Sequence, residues 1–345
     1  MQNFVIIDIS NIVQRTKHGI KRGNYDSYED LAGLIMHNTL YSIRNSYEKF
    51  NATHVVVCFD GGDYWRKDFL ETYKIREKDM SPEAIEKDEA AYQVTKDLHD
   101  FFYDGSNVTV LKTSRLEADD FIARWVQFHD DPKLYHNVIV SRDSDFIQLI
   151  RDNVELHDPQ TGVLQTVKGV FYQDRSRARD AIQLYGEQWR KKKGKDGNLL
   201  EVDPGWSLFE KTIRGDTSDK IPSAYPYVKT VKLKEAYENK GGLDWNNLIN
   251  ASFGKAPNIK TVRPRYDRNK RLIDLSAQPR YIKRTMDITI LDQLNKQEKA
   301  LVGIQFGKLC GRYELNRILS NPTPFINILS CSYGELSSSI SASMN

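Results

Sequence analysis

Cysteine is scarce in this 345-residue chain: Cys58, Cys310 and Cys331 are odd in number and far apart. That excludes a disulfide framework, makes a structural zinc site a poor fit, and points to reduced thiols in a cytoplasmic compartment. Long apolar runs are missing too. No stretch approaches the ~20 residues needed to cross a bilayer, so no membrane partner is expected. The first apolar run has no basic segment ahead of it and is interrupted by Asp8, so it does not read as a signal peptide. No internal repeat is visible. What is present is ample core material under a charged surface, with 39% hydrophobic and 28% charged residues, in a length that suits about two domains. The formal charge of +3 hides a split. Residues 1–150 carry 18 Lys/Arg against 25 Asp/Glu, and residues 151–345 carry 32 against 22. An acid-rich half joined to a cation-rich half suits a metal site beside a polyanion surface.

The first 160 residues alternate short apolar runs with helical patterns. Phe4–Ile7, Val55–Phe59, Val108–Leu111 and Val138–Val140 are continuous and rich in β-branched residues, as strands buried on both faces require. Helices are predicted at Tyr28–Phe50 and Leu116–Phe128, and a hairpin within 154–168. The alternation predicts an α/β fold with a mostly parallel central sheet flanked by helices. The connection over 61–106 is too long for an ordinary crossover and is read as a functional insertion, with a helix starting at Ser81-Pro82. Beyond residue 168, helices are predicted at Asp174–Trp189, 204–213, 229–238 and near 290–307. A basic loop lies at Arg190–Lys195, a cationic stretch runs from Arg263 to Arg284, and the Ser-rich tail from Ser337 is expected to be disordered.

The acids sit where strands end. Asp8 follows Phe4–Ile7, Asp60 follows Val55–Phe59, and Asp143 and Asp145 follow Val138–Val140. Ligands of open α/β sheets bind beyond the carboxyl ends of the strands. Glu117-Ala118-Asp119-Asp120 opens the next predicted helix, where Glu117 and Asp120 share a face. Each acid also has a plain structural reading: Ser114–Glu117 fits a capping box, and Asp145 can cap a helix. Convergence is what capping does not explain. Unit charges ~4 Å apart repel by roughly 1–4 kcal/mol, so such a pocket calls for cations. Oxygen-only donors favour Mg²⁺, or Mn²⁺ in its place, and paired ions suit phosphodiester hydrolysis. A further pair, Asp216 and Asp219, lies in Gly215-Asp216-Thr217-Ser218-Asp219-Lys220-Ile221-Pro222.

The ordered set Ile7-Asp8, Cys58-Phe59-Asp60, Tyr73-Lys74-Ile75-Arg76, Glu117–Asp120, Asp143-Ser144-Asp145 and Gly215–Pro222 resembles the structure-specific 5′-nuclease family of flap endonucleases and 5′–3′ exonucleases. Gly62–Phe69 is similar to the ribonuclease H branch from T-even bacteriophages. The resemblance spans roughly residues 1–240. It implies a PIN-like α/β nuclease domain at 1–168 with a helical arch at about 64–103. A helical, helix-hairpin-helix-like duplex-binding region at 169–336 and a tail at 337–345 would follow, with 169–205 inserted relative to simpler relatives. It implies two Mg²⁺. Asp8, Asp60, Glu117, Asp119 and Asp120 match the first-metal acids, Asp143 and Asp145 those between the ions, and Asp216 and Asp219 the second-metal side. Lys74 matches the arch lysine that contacts the scissile phosphate, with Arg76 as its partner and Tyr73 placed to stack on a terminal base.

One segment departs from the family. Where a glycine-rich hairpin usually holds duplex phosphate with a monovalent cation, this chain has Ser223-Ala224-Tyr225-Pro226-Tyr227-Val228. Without glycine the cation site loses its basis. Lys220 (in place of the usual Asn), Lys229, Lys232 and Lys234 remain as phosphate contacts. The expected function is a metal-dependent 5′ nuclease that removes RNA primers or 5′ flaps in replication, acting on branched or nicked duplex DNA and RNA–DNA hybrids. It would be a cytoplasmic monomer, in a phage-infected host if phage-encoded, with a single-strand-binding protein or sliding clamp as candidate partners. The alternatives are a PIN-type ribonuclease, which needs neither the long insertion nor Gly215–Pro222, and a non-catalytic branched-DNA binder.

Overall fold

The computed structural model describes residues 1–21, 23–75, 79–174 and 181–334; Arg76 and the 337–345 tail lie outside them. The strands are β1 (Gln2–Asp8), β2 (His54–Cys58), β3 (Thr109–Leu111), β4 (Tyr135–Val140), β5 (Val154–Asp158), β6 (Val163–Thr166), β7 (Gly169–Gln173), β8 (Ile182–Leu184) and β9 (Glu187–Lys191). They form one sheet in the order β3-β2-β1-β4-β5-β6-β7-β9-β8. The first five run parallel and the last four antiparallel. The parallel half confirms the predicted strands, and β5–β6 is the predicted hairpin.

Alternation along the parallel strands feeds two cores. Val5, Ile7, Val55 and Val57 face the layer of α1 (Ile9–Gly19), α2 (Tyr28–Lys49) and α3 (Pro82–Gly105). Phe4, Ile6, Val56 and Cys58 face α4 (Ala118–Phe128), where Phe121, Ile122 and Trp125 are buried. Strands buried on both faces need no polar side, which is why these runs are unbroken. Local signals set the helix starts. Ser27 and Asp30 form a capping box on α2, and Ser81 caps α3 ahead of Pro82.

A helical module with its own core follows the sheet: α5 (Pro204–Arg214), α6 (Thr230–Glu238), α7 (Leu243–Ile249) and α8 (Val262–Ile273), packed through Phe209, Ile213, Leu233, Leu248 and Val262. A two-stranded ribbon, β10 (Ser252–Phe253) with β11 (Lys260–Thr261), joins α7 to α8. Then α9 (Arg280–Leu294) packs on α4, while α10 (Val302–Arg312), α11 (Asn316–Leu319) and α12 (Thr323–Ser330) return to the α2–α3 layer. Among the described residues no helix is long and apolar enough to cross a membrane.

Three expectations change. Asp174–Trp189 is not a helix; its described part is the β8–β9 hairpin. Tyr185 and Gly186 both have positive φ, +52° and +77°, the two-residue turn that matches the twist of a hairpin. The single helix near 290–307 is two, α9 and α10, separated by 295–301. Finally, residue 168 does not end the sheet. β7 and β9 extend it, and the separately cored helical module is α5 to α8.

Candidate active site

The parallel strands bring the acids to one edge. Asp8 ends β1 and caps α1, accepting from the Asn11 peptide N–H at 3.0 Å. Asp60 lies two residues past β2 and accepts from the Ala118 N–H at 3.0 Å, which ties it to the start of α4. Asp143 caps a 3-10 turn, Ser144–Leu149, that contains Asp145. That turn packs against α5, whose C-terminus carries Asp216 and Asp219 to the same edge. Gly215 makes the exit possible. At φ +77° an added Cβ would lie 2.3 Å from the Ile221 carbonyl oxygen, so only glycine fits. Carboxylate oxygens of Asp145, Asp216 and Asp219 then lie within 4.8 Å of one another.

Part of this acid cluster is neutralised by the chain itself. Arg66, 1% exposed, donates to Glu117 Oε2 at 2.6 Å and to both oxygens of Asp120 at 2.8 and 2.9 Å. Trp65 Nε1 and the Glu117 N–H also donate to Asp120, which is fully buried. Burial works against ionisation of Asp120, but Arg66 outweighs it and holds the carboxyl below its usual range. Both Asp120 oxygens are therefore taken. In this structure Asp120 is the partner of Arg66, a pairing that its sequence assignment did not include.

Lys74 Nζ contacts Glu117 Oε1 at 2.5 Å and lies 3.8 Å from Asp219. Its backbone is left-handed, at φ +53°, and its N–H donates to the Asp219 carbonyl. Tyr73 is 2% exposed and donates from its hydroxyl to Glu117 at 3.0 Å and Asp219 at 3.3 Å. That buried ring is not offered to a terminal base, which corrects the stacking role expected for it. Lys211, on α5, pairs with Asp145 and, at 2.6 Å, with Asp216. Burial opposes the ionisation of Asp216, yet Lys211 and the Ser218 hydroxyl bring its pKa down to about 2.

The remaining acids have no such cation. Among the described residues Asp8, Asp60, Asp119 and Asp143 form no ion pair. Burial first, then the charges of Asp60 and Asp143, push the Asp8 pKa up to about 7. Burial raises Asp119 well above the ordinary range, with Asp143, Asp8 and Glu117 adding to it against the pull of Lys74. Asp145 rises to about 6 through burial and Asp143, despite Lys211. Oxygen-only donors carrying more charge than the chain neutralises fit hard divalent cations. The residues suited to hold them are Asp8, Asp60, Asp119 and Asp143 on one side and Asp145, Asp216 and Asp219 on the other.

Lys220, Lys229, Lys232 and Lys234 are all exposed. Lys229 precedes α6 and Lys232 is in its first turn, three residues on and on the same face, whereas Lys234 lies around the helix. Sequence reading assigned no role to Lys211, nor to Trp65 and Arg66 within the Gly62–Phe69 run. Their partners lie about fifty to sixty-six positions away in the chain, so no local pattern marks the pairings.

Residues 3–182 match the family described as 5′-3′ exonuclease, N-terminal resolvase-like domain. The chain belongs to that family, and its class is that of a 5′ nuclease, a phosphodiesterase. Two solved structures from bacteriophage T5 share the fold. A variant of the T5 flap endonuclease, in a pseudo-enzyme–product complex with DNA and metal ions, is 19% identical with a TM-score of 0.58, covering 85% of this chain and 99% of that one. The T5 5′-exonuclease with bound zinc is 19% identical with a TM-score of 0.56, covering 84% and 99%.

Proposed function

We propose that this chain is a divalent-metal-dependent 5′ nuclease that cleaves flaps and nicked duplexes and degrades RNA in RNA–DNA hybrids, removing 5′ flaps or primers in replication. The observation that carries the reading is the group Asp8, Asp60, Asp119 and Asp143 at the carboxyl edge of the sheet, in which burial, and then the charges of neighbouring carboxylates, raise Asp8 and Asp119. Divalent cations held there and by Asp145, Asp216 and Asp219 would supply the charge neutralisation and water activation that phosphodiester hydrolysis needs. Mg²⁺, with Mn²⁺ as substitute, suits carboxylate oxygens.

The chain's own residues do the rest. Lys74, parked on Glu117 in the free protein, moves its ammonium to the scissile phosphate and stabilises charge developing on it. Arg76 assists as its partner. Arg66 keeps Glu117 in place while that exchange happens. Lys211 holds Asp145 and Asp216 ionised and oriented. Exposed Lys220, Lys229, Lys232 and Lys234 grip duplex phosphates without reading sequence.

The test is cleavage of 5′-labelled flap, nicked duplex, RNA–DNA hybrid and single-stranded RNA in Mg²⁺, Mn²⁺ or EDTA. Cleavage of the first three, abolished by EDTA, is expected. Cleavage confined to single-stranded RNA would sink the flap and primer reading, and binding without cleavage would sink the enzyme.

A further inference from the structure

The turn between α5 and α6 carries a side chain that the fold does not use. Tyr227 is fully exposed (102%), while the adjacent Val228 is buried. Its backbone sits at φ +61°, a conformation glycine adopts freely and tyrosine does not. Burial gives the ring nothing, and the backbone disfavours the residue.

The base of the turn is firmly held. Arg265 donates to the Ser223 carbonyl at 2.7 Å, Asn269 Nδ2 to the Pro222 carbonyl at 2.9 Å, and the Ala224 N–H to the Ile213 carbonyl at 2.8 Å. Tyr225 stacks on Phe253, with ring centroids 5.8 Å apart. Tyr227 is thus presented outward from a braced support. An isolated exposed apolar residue is ordinary, but one kept in a disfavoured backbone conformation asks for a partner.

The surroundings bear on that partner. Lys229, Val231 and Lys232 line a concave surface just beyond the turn together with Glu235, Asp244 and Asn247, and Lys220 is exposed before it. Lys232 Nζ lies 5.7 Å from the Tyr225 ring centroid, so the cation is held near the turn. Ammonium groups suit phosphates, whereas a phenol ring finds its contact on sugars and base edges.

We propose that Tyr227 is a contact residue for duplex nucleic acid, its ring lying against sugar and base edges while Lys229 and Lys232 engage the adjacent phosphates. This rests on the duplex-cleaving reading above and adds to it a grip that is not electrostatic. Such a contact releases no counterions, so it contributes equally at low and high salt.

The experiment is anisotropy of a fluorescein-labelled nicked duplex with the full chain in EDTA, across a salt series. Tyr227→Gly removes the ring and suits the positive φ, so the turn keeps its shape; an unchanged or higher Tm checks this. Binding should weaken roughly tenfold at every salt concentration, the loss expected for one aromatic contact, with an unchanged slope against log salt. Tyr227→Phe should stay within about twofold of wild type. Lys229→Ala should instead lower the slope by about 0.9, one phosphate's share. Tyr227→Gly binding as tightly as wild type, or losing affinity through the slope, overturns the ring contact. Failure of wild type to bind any duplex is a separate outcome that overturns the duplex-cleaving reading and this contact together.

Discussion

Asp119 and Asp120 are consecutive residues in the first turn of α4, yet their surroundings are opposite. Asp120 points into the fold, where Arg66 and Trp65 satisfy it and hold its carboxyl below the ordinary range. Asp119 points to the sheet edge among Asp8, Asp143 and Glu117, and rises well above that range. The same residue type at adjacent positions is a structural anion in one case and an unmet demand for cations in the other. Charge count alone does not locate a metal site. What locates it is the charge left over after the chain's own cations are placed.

The largest effect expected from this contrast is on chemistry. Asp119→Asn and Asp143→Asn should each lower cleavage on the order of 10³-fold or more while duplex binding in EDTA persists. Their thermal stability should hold or rise, because like-charge repulsion is relieved. Asp120→Asn should behave the other way and cost about 3–5 kcal/mol of stability by leaving the Arg66 guanidinium buried and half-paired. Thermal melts of the three variants beside their turnover on a flap substrate check this. If Asp120→Asn melts like wild type and is as inactive as Asp119→Asn, the division of the cluster is wrong.

A smaller effect separates the groups by ligand. Mg²⁺ at a hundred times its dissociation constant should stabilise wild type by ~2.7 kcal/mol. Asp143→Asn should lose most of that gain. Lys229→Ala, which leaves every one of those carboxylates in place, should keep all of it. Melting curves in a Mg²⁺ series read this out, and equal shifts in all three proteins would detach the stabilisation from the carboxylates.

The contrast also marks what was legible in the sequence. Phe4–Asp8, Val55–Asp60 and Val138–Val140 announce parallel strands with acids beyond their ends, because burial on both faces forces unbroken apolar runs. Helix starts at Ser27 and Ser81 were equally local. Arg66 and Lys211 were not, since an ion pair between distant positions leaves no periodicity to read. The pairing of Asp120 with Arg66 was invisible for that reason. Asp174–Trp189 misled differently. Its spacing mimics a helix, while the true signal was the dipeptide Tyr185-Gly186, whose two positive φ angles close a hairpin. The insertion was legible from its length and its Ser81-Pro82 start, and α3 returns its apolar stripe, Val94, Leu98 and Phe102, to the main core.

The smallest expected effect is a pH dependence that tests the unneutralised group directly. The Asp8 pKa stands at about 7 in the folded protein without metal, against an ordinary 3.8. A carboxyl raised on folding holds its proton in the native state after the unfolded chain has released it. The stability this supplies is fully present below pH ~4 and is lost as pH rises through about 7. Three buried histidines push oppositely. Burial lowers His54 to about 3, His129 to about 4 and His157 to about 3, so each favours unfolding as pH falls. Subtracting wild type from Asp8→Asn cancels them, and asparagine keeps the capping contact to the Asn11 N–H. In EDTA the variant should match wild type near pH 4 and become more stable by a few degrees near pH 8, where wild type must carry the buried charge. With Mg²⁺ the order should reverse, because the ion needs the ionised carboxylate and releases its proton. A Tm difference that is flat with pH in EDTA would mean that Asp8 is already neutralised by the fold, which would place it with Asp120 on the other side of the comparison.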